Sequence, residues 1–279
     1  MAKINVLFKS KVIGFAESAR AGLPEKIELT HSGDEVDISS LSILEPEELR
    51  ELDLSDFGAS GQTLRDLADK HFGLEVLRFN NRKTYRADGT IDNYGNCILD
   101  HHAISYLLQR IKRLKKLGLR GTFANDQILM ALSELCELEL LDLSSTDMSH
   151  FFIINYETGR LDEDHRLRNL KKLKYLDLSK SHADFSAVRN CGSYFSALEY
   201  LDVSFTAVSD TCFIKGSMSA ESWFPNLKKL CLAGKTITDK LIDSIQELPT
   251  LEELKLRETS ITEAAIRKLK EKRKSLKIS

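Results

Sequence analysis

The chain carries 42% apolar and 29% charged residues over 279 positions, a balance that suits a folded soluble protein and excludes a disordered one. Lys plus Arg is 40 and Asp plus Glu is 42, so the formal net charge of -2 implies no global attraction to nucleic acid or to an anionic membrane. No stretch approaches the roughly 18 apolar residues of a membrane span, and 43 leucines direct attention to periodicity instead.

Residues 1–23 hold Ile4, Val6, Phe8, Val12, Phe15 and Ala19. They predict a strand and then a short amphipathic helix that together cap the N-terminal end. Lys9 and Lys11 cut the first apolar run short of a secretory signal. Pro24, Ile27 and Leu29 are a degraded form of the pattern L-x-x-L-x-L, which becomes explicit at Leu49, Leu52 and Leu54. Leu64, Leu67 and Ala68 give the helical face that follows. The pattern returns at Leu74, Leu77 and Phe79, before a polar, turn-rich insertion at 80–95 and a helical face through Leu99, Ala103, Ile104, Leu107, Leu108 and Ile111. Leu114, Leu117 and Leu119 come next, with a helix through Ile128, Leu129, Leu132 and Leu135. After Leu138, Leu141 and Leu143 a second insertion, 148–162, sets Phe151, Phe152, Ile153 and Ile154 near Gly159. It predicts a small hairpin that packs on an edge or anchors a partner.

The strand pattern continues at Leu173, Leu176 and Leu178, and again at Leu198, Leu201 and Val203. A shorter insertion precedes Trp223, Phe224 and Pro225, and the pattern resumes at Leu227, Leu230 and Leu232. Asp239 is placed to N-cap a helix that buries Leu241, Ile242, Ile245 and Leu248. Leu251, Leu254 and Leu256 lead to a helix over 263–274 whose exposed side carries Lys268, Lys270, Lys272, Arg273 and Lys274. Leu276 and Ile278 start one more strand.

From Leu49 the registers begin 25, 40, 24, 35, 25, 29, 24 and 25 residues apart, so the longer intervals are one period plus an insertion. In this the chain resembles the leucine-rich-repeat family over about residues 24–279. Ser- and Thr-rich turns such as Ser144-Ser145-Thr146 and Thr236-Ile237-Thr238 resemble the longer repeats of its intracellular members, where a helix follows each strand. The resemblance implies one domain over 1–279: an N-terminal cap at 1–23, repeats at 24–262, and a C-terminal helix and cap at 263–279. The implied fold class is α/β, a right-handed solenoid or horseshoe with short parallel strands on its concave face and helices on its convex face. The turn threonines are expected to bond backbone groups of the adjacent coil.

Residues flanking the motif leucines face away from the core, because alternate strand residues point to opposite sides. In the middle coils these are Leu140, Tyr175 and Tyr200 beside Asp142, Asp177 and Asp202. Arg78, Lys116 and Arg120 lie to one side, and Lys229, Lys255 and Arg257 to the other. Tyrosines within a charged face supply contact area and a hydrogen bond at small entropic cost, as a protein-binding surface needs. The candidate partner-binding set is therefore Arg78, Arg120, Leu140, Asp142, Tyr175, Asp177, Tyr200 and Asp202. The aspartates equally serve to solvate the strand face.

The phosphate-cradling glycine motifs, GxSxG and HExxH are all absent, and of seven histidines only His101 and His102 are adjacent, a poor chelate on a helix. No catalytic, metal or cofactor site is expected. Five cysteines without a CxxC pair fit free thiols in a reducing compartment, with Cys231 the one placed on the open face as a candidate reactive thiol. The expectation is a monomeric, cytoplasmic, non-catalytic adaptor that binds another protein rather than nucleic acid or membrane. The alternatives are a bacterial effector acting in a host cytosol, or a substrate-recognition subunit of a ubiquitin-ligase-like complex.

Overall fold

Ile4, Val6 and Phe8 alternate along β1 (Ala2–Phe8), which pairs antiparallel with β2 (Lys11–Ser18). The expected helix through Val12 and Phe15 is thus corrected to a strand, while Ala19 lies outside the described residues. Val12, Ile13 and Phe15 suit a pleated surface, and β1 supplies its partner. β3 (Lys26–Ser32) pairs parallel with β1, placing Val6 opposite Ile27 and Phe8 opposite Leu29, and β4 (Glu35–Asp37) closes a four-stranded sheet in the order β2-β1-β3-β4. Of the degraded register, Ile27 and Leu29 are therefore part of this sheet and not a coil of the repeat, while Pro24 lies outside the described residues. A seven-residue strand against the hairpin satisfies more backbone groups than a three-residue coil strand does.

The computed structural model describes residues 2–8, 11–18, 26–32, 35–37, 49–55, 60–70, 73–79, 84–85, 91–92, 100–122, 126–146, 166–183, 188, 191–192, 194–213, 224–246 and 248–279. They divide into two compact units, Met1–Leu138 and Glu139–Ser279. In the first, β5 (Glu51–Asp53), β6 (Val76–Arg78) and β9 (Lys116–Gly118) pair in parallel, with Leu52, Leu77 and Leu117 in register. Helix α1 (Gly61–Lys70) buries Leu64, Leu67 and Ala68. Helix α2 (His101–Arg110) is N-capped by Asp100 and buries Ala103, Ile104, Leu107 and Leu108, and α3 (Asp126–Leu132) buries Ile128 and Leu132. The 80–95 insertion contains a short antiparallel pair, β7 (Thr84–Tyr85) and β8 (Ile91–Asp92).

The second unit stacks β10 (Leu140–Asp142), β11 (Tyr175–Asp177), β12 (Tyr200–Asp202), β13 (Lys229–Ala233), β14 (Glu253–Arg257) and β15 (Lys277–Ile278), all parallel. With β5, β6 and β9 they make a nine-stranded sheet in the order β15-β14-β13-β12-β11-β10-β9-β6-β5. Single 3-10 turns at Arg166–Asn169 and Asp210–Cys212 join α4 (Leu241–Ile245) and α5 (Glu263–Lys272) as the helical elements described between strands. The expected hairpin at 151–161 lies outside the described residues, as does Leu99.

The turn after each strand repeats one conformation. Two residues past the third motif position, φ is left-handed at Gly121 (67°), Ser145 (54°), Lys180 (57°), Phe205 (56°), Gly234 (120°) and Glu258 (54°). One residue later a hydroxyl donates back within its own coil: Thr122 to the Leu119 carbonyl at 2.6 Å, Ser181 to Leu178 at 2.5 Å and Thr206 to Val203 at 2.7 Å. The expected reach to the adjacent coil is made further on. The Thr236 hydroxyl donates to the Val208 carbonyl at 2.7 Å, and the Asp210 carboxylate accepts from the Thr238 N–H at 2.8 Å and hydroxyl at 2.5 Å. Asp239 accepts in the same way from Thr262, at 2.7 and 2.9 Å. This corrects the assignment of Asp239 as the N-cap of α4. Lys240 takes that position without a side-chain cap, because the carboxylate is engaged with the next coil.

Arg273 also departs from the expected exposed basic row of α5. Its guanidinium is half-buried and donates to the carbonyls of Leu248 at 2.5 Å and Leu251 at 2.6 Å, tying the last helix to the preceding coil. The residue after each first motif leucine alternates in sign: Arg50, Glu75, Lys115, Glu139, Lys174, Glu199, Lys228, Glu252 and Lys277. In the first unit Glu75 pairs with Arg50 at 2.7 Å and Lys115 at 2.8 Å, and these cations, Lys115 foremost, hold its carboxyl below the ordinary range. In the second, Glu139 pairs with Lys174 and Glu199 with Lys228, each at 2.9 Å.

Candidate protein-binding face

Strand registry decides which side chains meet on the open face of the second unit. Leu140, Tyr175, Tyr200 and Lys229 occupy one row, and Asp142, Asp177, Asp202 and Cys231 the next, each residue directly opposite its neighbour. Meanwhile Leu141, Leu176, Leu201 and Leu230 point the other way into the core, each at most 1% exposed. Every clear instance of L-x-x-L-x-L thus supplies one strand of a parallel sheet, with the motif leucines buried behind it except Leu256, which is half-buried. The chain has the leucine-rich-repeat fold.

No family model matches this leucine-rich-repeat chain, and no curated protein matches it. Among solved structures it is similar to the plant peptide hormone receptor RGFR1 in complex with RGF2, at 16% identity and a TM-score of 0.40, over 77% of this chain and 30% of that one. It is also similar to the TLR13–ssRNA13 complex, at 19% identity and a TM-score of 0.46, over 75% of this chain and 29% of that one. The chain spans about three-tenths of the length of either structure.

Within the face, Tyr175 and Tyr200 stack, with ring centroids 4.1 Å apart and planes 7° from parallel. The strands set equivalent residues about 4.8 Å apart, so the rings lean slightly together. Both are half-buried. The Tyr200 hydroxyl lies 3.4 Å from Asp202 Oδ2 and accepts from the Cys231 thiol at 3.6 Å, and Lys229 Nζ sits 5.7 Å from the ring centroid. Burial, reinforced by the aspartates around it, pushes the Tyr175 hydroxyl up to about 12, and burial also raises Tyr200. Both phenols are neutral donors at physiological pH.

Each aspartate has a local task. Asp142, Asp177 and Asp202 all accept, through Oδ1, the backbone N–H two residues on, from Ser144, Ser179 and Ser204, at 2.9 Å. Asp53 does the same for Ser55 in the first unit. The L-D-L-S motif is thus a turn device that ends the strand. The row nevertheless stacks three carboxylates at strand spacing, and among the described residues no cation lies within ion-pair distance of any of them. The nearby cations are engaged, Lys229 with Glu253 at 3.0 Å, Lys255 with Glu253 at 3.9 Å and Arg257 with Glu258 at 3.6 Å. Asp177, in the middle, is pushed up to about 6 by burial and by its two acidic neighbours, against the bonds from Ser179.

The remaining predicted residues fall in the first unit. Arg78 on β6 is bound to Glu51 at 2.5 Å and lies 3.9 Å from Asp53, and Arg120 is exposed in the turn after β9. The structure gathers Leu140, Asp142, Tyr175, Asp177, Tyr200 and Asp202 on one face, while Arg78 is engaged within its own unit. Cys231 sits in the expected row, but it is buried and burial raises its thiol to about 11, so it is held protonated rather than as a reactive thiolate. Cys136, Cys191 and Cys212 form no disulfide.

Phe205, in the turn after β12, did not figure in the sequence-based set. Its ring is half-exposed and its centroid lies 5.9 Å from the Arg257 guanidinium. A left-handed residue other than glycine costs about 1–2 kcal/mol, whereas an exposed cation–π pair contributes about 0.5–1 kcal/mol. No group of three or more His, Cys, Asp and Glu side chains among the described residues is arranged to hold a metal ion, and no described helix is long and apolar enough to cross a membrane.

Proposed function

We propose that this chain is a non-catalytic interaction module that binds another protein through the strand face of its second unit. The observation that carries the reading is the stacked, half-buried pair Tyr175 and Tyr200 beside three aspartates with no cation in ion-pair distance among the described residues. Such a surface offers contact area, two phenolic donors and a place for a Lys- or Arg-bearing segment. A protein is preferred over nucleic acid because a carboxylate row repels phosphates. The reading further takes residues 1–279 as one domain, monomeric, in a reducing cytoplasm that suits described cysteines held in no disulfide.

The decisive experiment identifies a partner by cross-linking and then compares two variants. Tyr175→Ala combined with Tyr200→Ala is expected to weaken binding by about 1–3 kcal/mol with the fold intact. Lys240→Glu, beside α4, is expected to leave it unchanged. The opposite pattern would place the binding surface on the helical side and sink the reading.

A further inference from the structure

Six turns share the left-handed residue described above, and at five of them it is Gly, Ser, Lys or Glu. At the sixth it is Phe205, where Gly121 adopts nearly the same backbone angle without strain. The repeat dictates this backbone, so a bulky aromatic is retained here against a conformational cost. Its ring is not part of the buried core. Phe205 follows Asp202 by three residues and Tyr200 by five, which puts it at most about 11 Å past the aspartate along the same coil.

We propose that Phe205 is a recognition residue of this face, receiving an apolar side chain from a partner segment whose Lys or Arg lies over Asp142, Asp177 and Asp202. The inference rests on the protein-binding role proposed above. Charge complementarity selects the basic residue, because among the described residues no cation pairs with the aspartates, and Lys229, Lys255 and Arg257 are each paired with a glutamate. Arg257 near the ring disfavours a second cation there, which leaves an apolar contact. In an extended segment the separation corresponds to about three residues between the basic and the apolar side chain.

The test selects a displayed library of random decapeptides on the immobilised full-length chain. The unmodified chain is expected to enrich Lys or Arg followed about three residues later by Leu, Ile, Met or Phe. Phe205→Gly is expected to lose the apolar preference and keep the basic one, and to bind a synthetic peptide of the selected sequence about tenfold more weakly. Its melting temperature should equal or exceed that of the unmodified chain, since glycine relieves the turn, and Phe205→Asn serves as a second variant tolerant of the same backbone. If Phe205→Gly retains both the apolar preference and the affinity, the inference is overturned while the face stands. If the triple change Asp142→Asn, Asp177→Asn and Asp202→Asn leaves the basic preference untouched, the binding face itself is wrong. Failure of the unmodified chain to enrich any sequence overturns both.

Discussion

Leu176 and Leu201 are fully buried between neighbouring strands, and each touches the core of two adjoining coils. Leu176→Ala or Leu201→Ala is expected to destabilise by about 2–5 kcal/mol, because the stacked coils collapse poorly around a cavity. Urea midpoints check this. Asp177 carries a different kind of information. Its folded-state value of about 6 lies above the ordinary 3.8, so the folded protein binds the proton more tightly than the unfolded chain does. Stability therefore falls as pH rises through the window from about 4 to about 6. Asp177→Asn keeps the carbonyl that accepts the Ser179 N–H and removes the buried charge. It should flatten that fall and raise the melting temperature at pH 7 relative to the unmodified chain. A variant with the same pH profile as the original would exclude Asp177 as the cause.

At the scale of elements, side chains tie turns and helix ends to a neighbouring coil. Asp210 is buried, 6% exposed, and its two bonds reach Thr238 in the following coil. Asp210→Ala leaves the Thr238 donors without their acceptor, and a loss of about 1–3 kcal/mol is expected. Thermal denaturation of the variant measures it. Arg273 works similarly at the end of α5, where its guanidinium replaces the missing partners of three preceding carbonyls. Side-chain N-caps are present at α1, α2 and α5, from Ser60, Asp100 and Thr262.

At the scale of the whole molecule, the alternating charges along the coils have a collective consequence. One exposed pair contributes only about 0.2–1 kcal/mol, but a slip by one coil would set like charges side by side throughout the row. Lys174→Glu places three acids in succession, Glu139, position 174 and Glu199. Its melting temperature should drop at low salt and recover partly at about 1 M salt, where the screening length falls to about 3 Å. An equal drop at both salt concentrations would rule out the electrostatic account.

Much of this architecture was legible in the order of residues. Leucines two apart at a period near 25 demand short strands that share one buried side, and the structure places Leu52, Leu77 and Leu117 in register in the first unit, and Leu141, Leu176, Leu201, Leu230 and Leu254 in the second. The rows of Tyr175 with Tyr200 and of the three aspartates follow from the same arithmetic, because strand parity alone decides which side chains share a face. Tertiary structure decided the rest. Val12 and Phe15 suit a helix or a strand, and only the neighbouring β1 resolved them. Asp239 precedes a helix, yet Thr262 in the next coil claims its carboxylate. The closeness of the tyrosine rings, the raised Asp177 and the strained Phe205 all depend on what stands beside a residue from another coil, which periodicity within one coil does not encode.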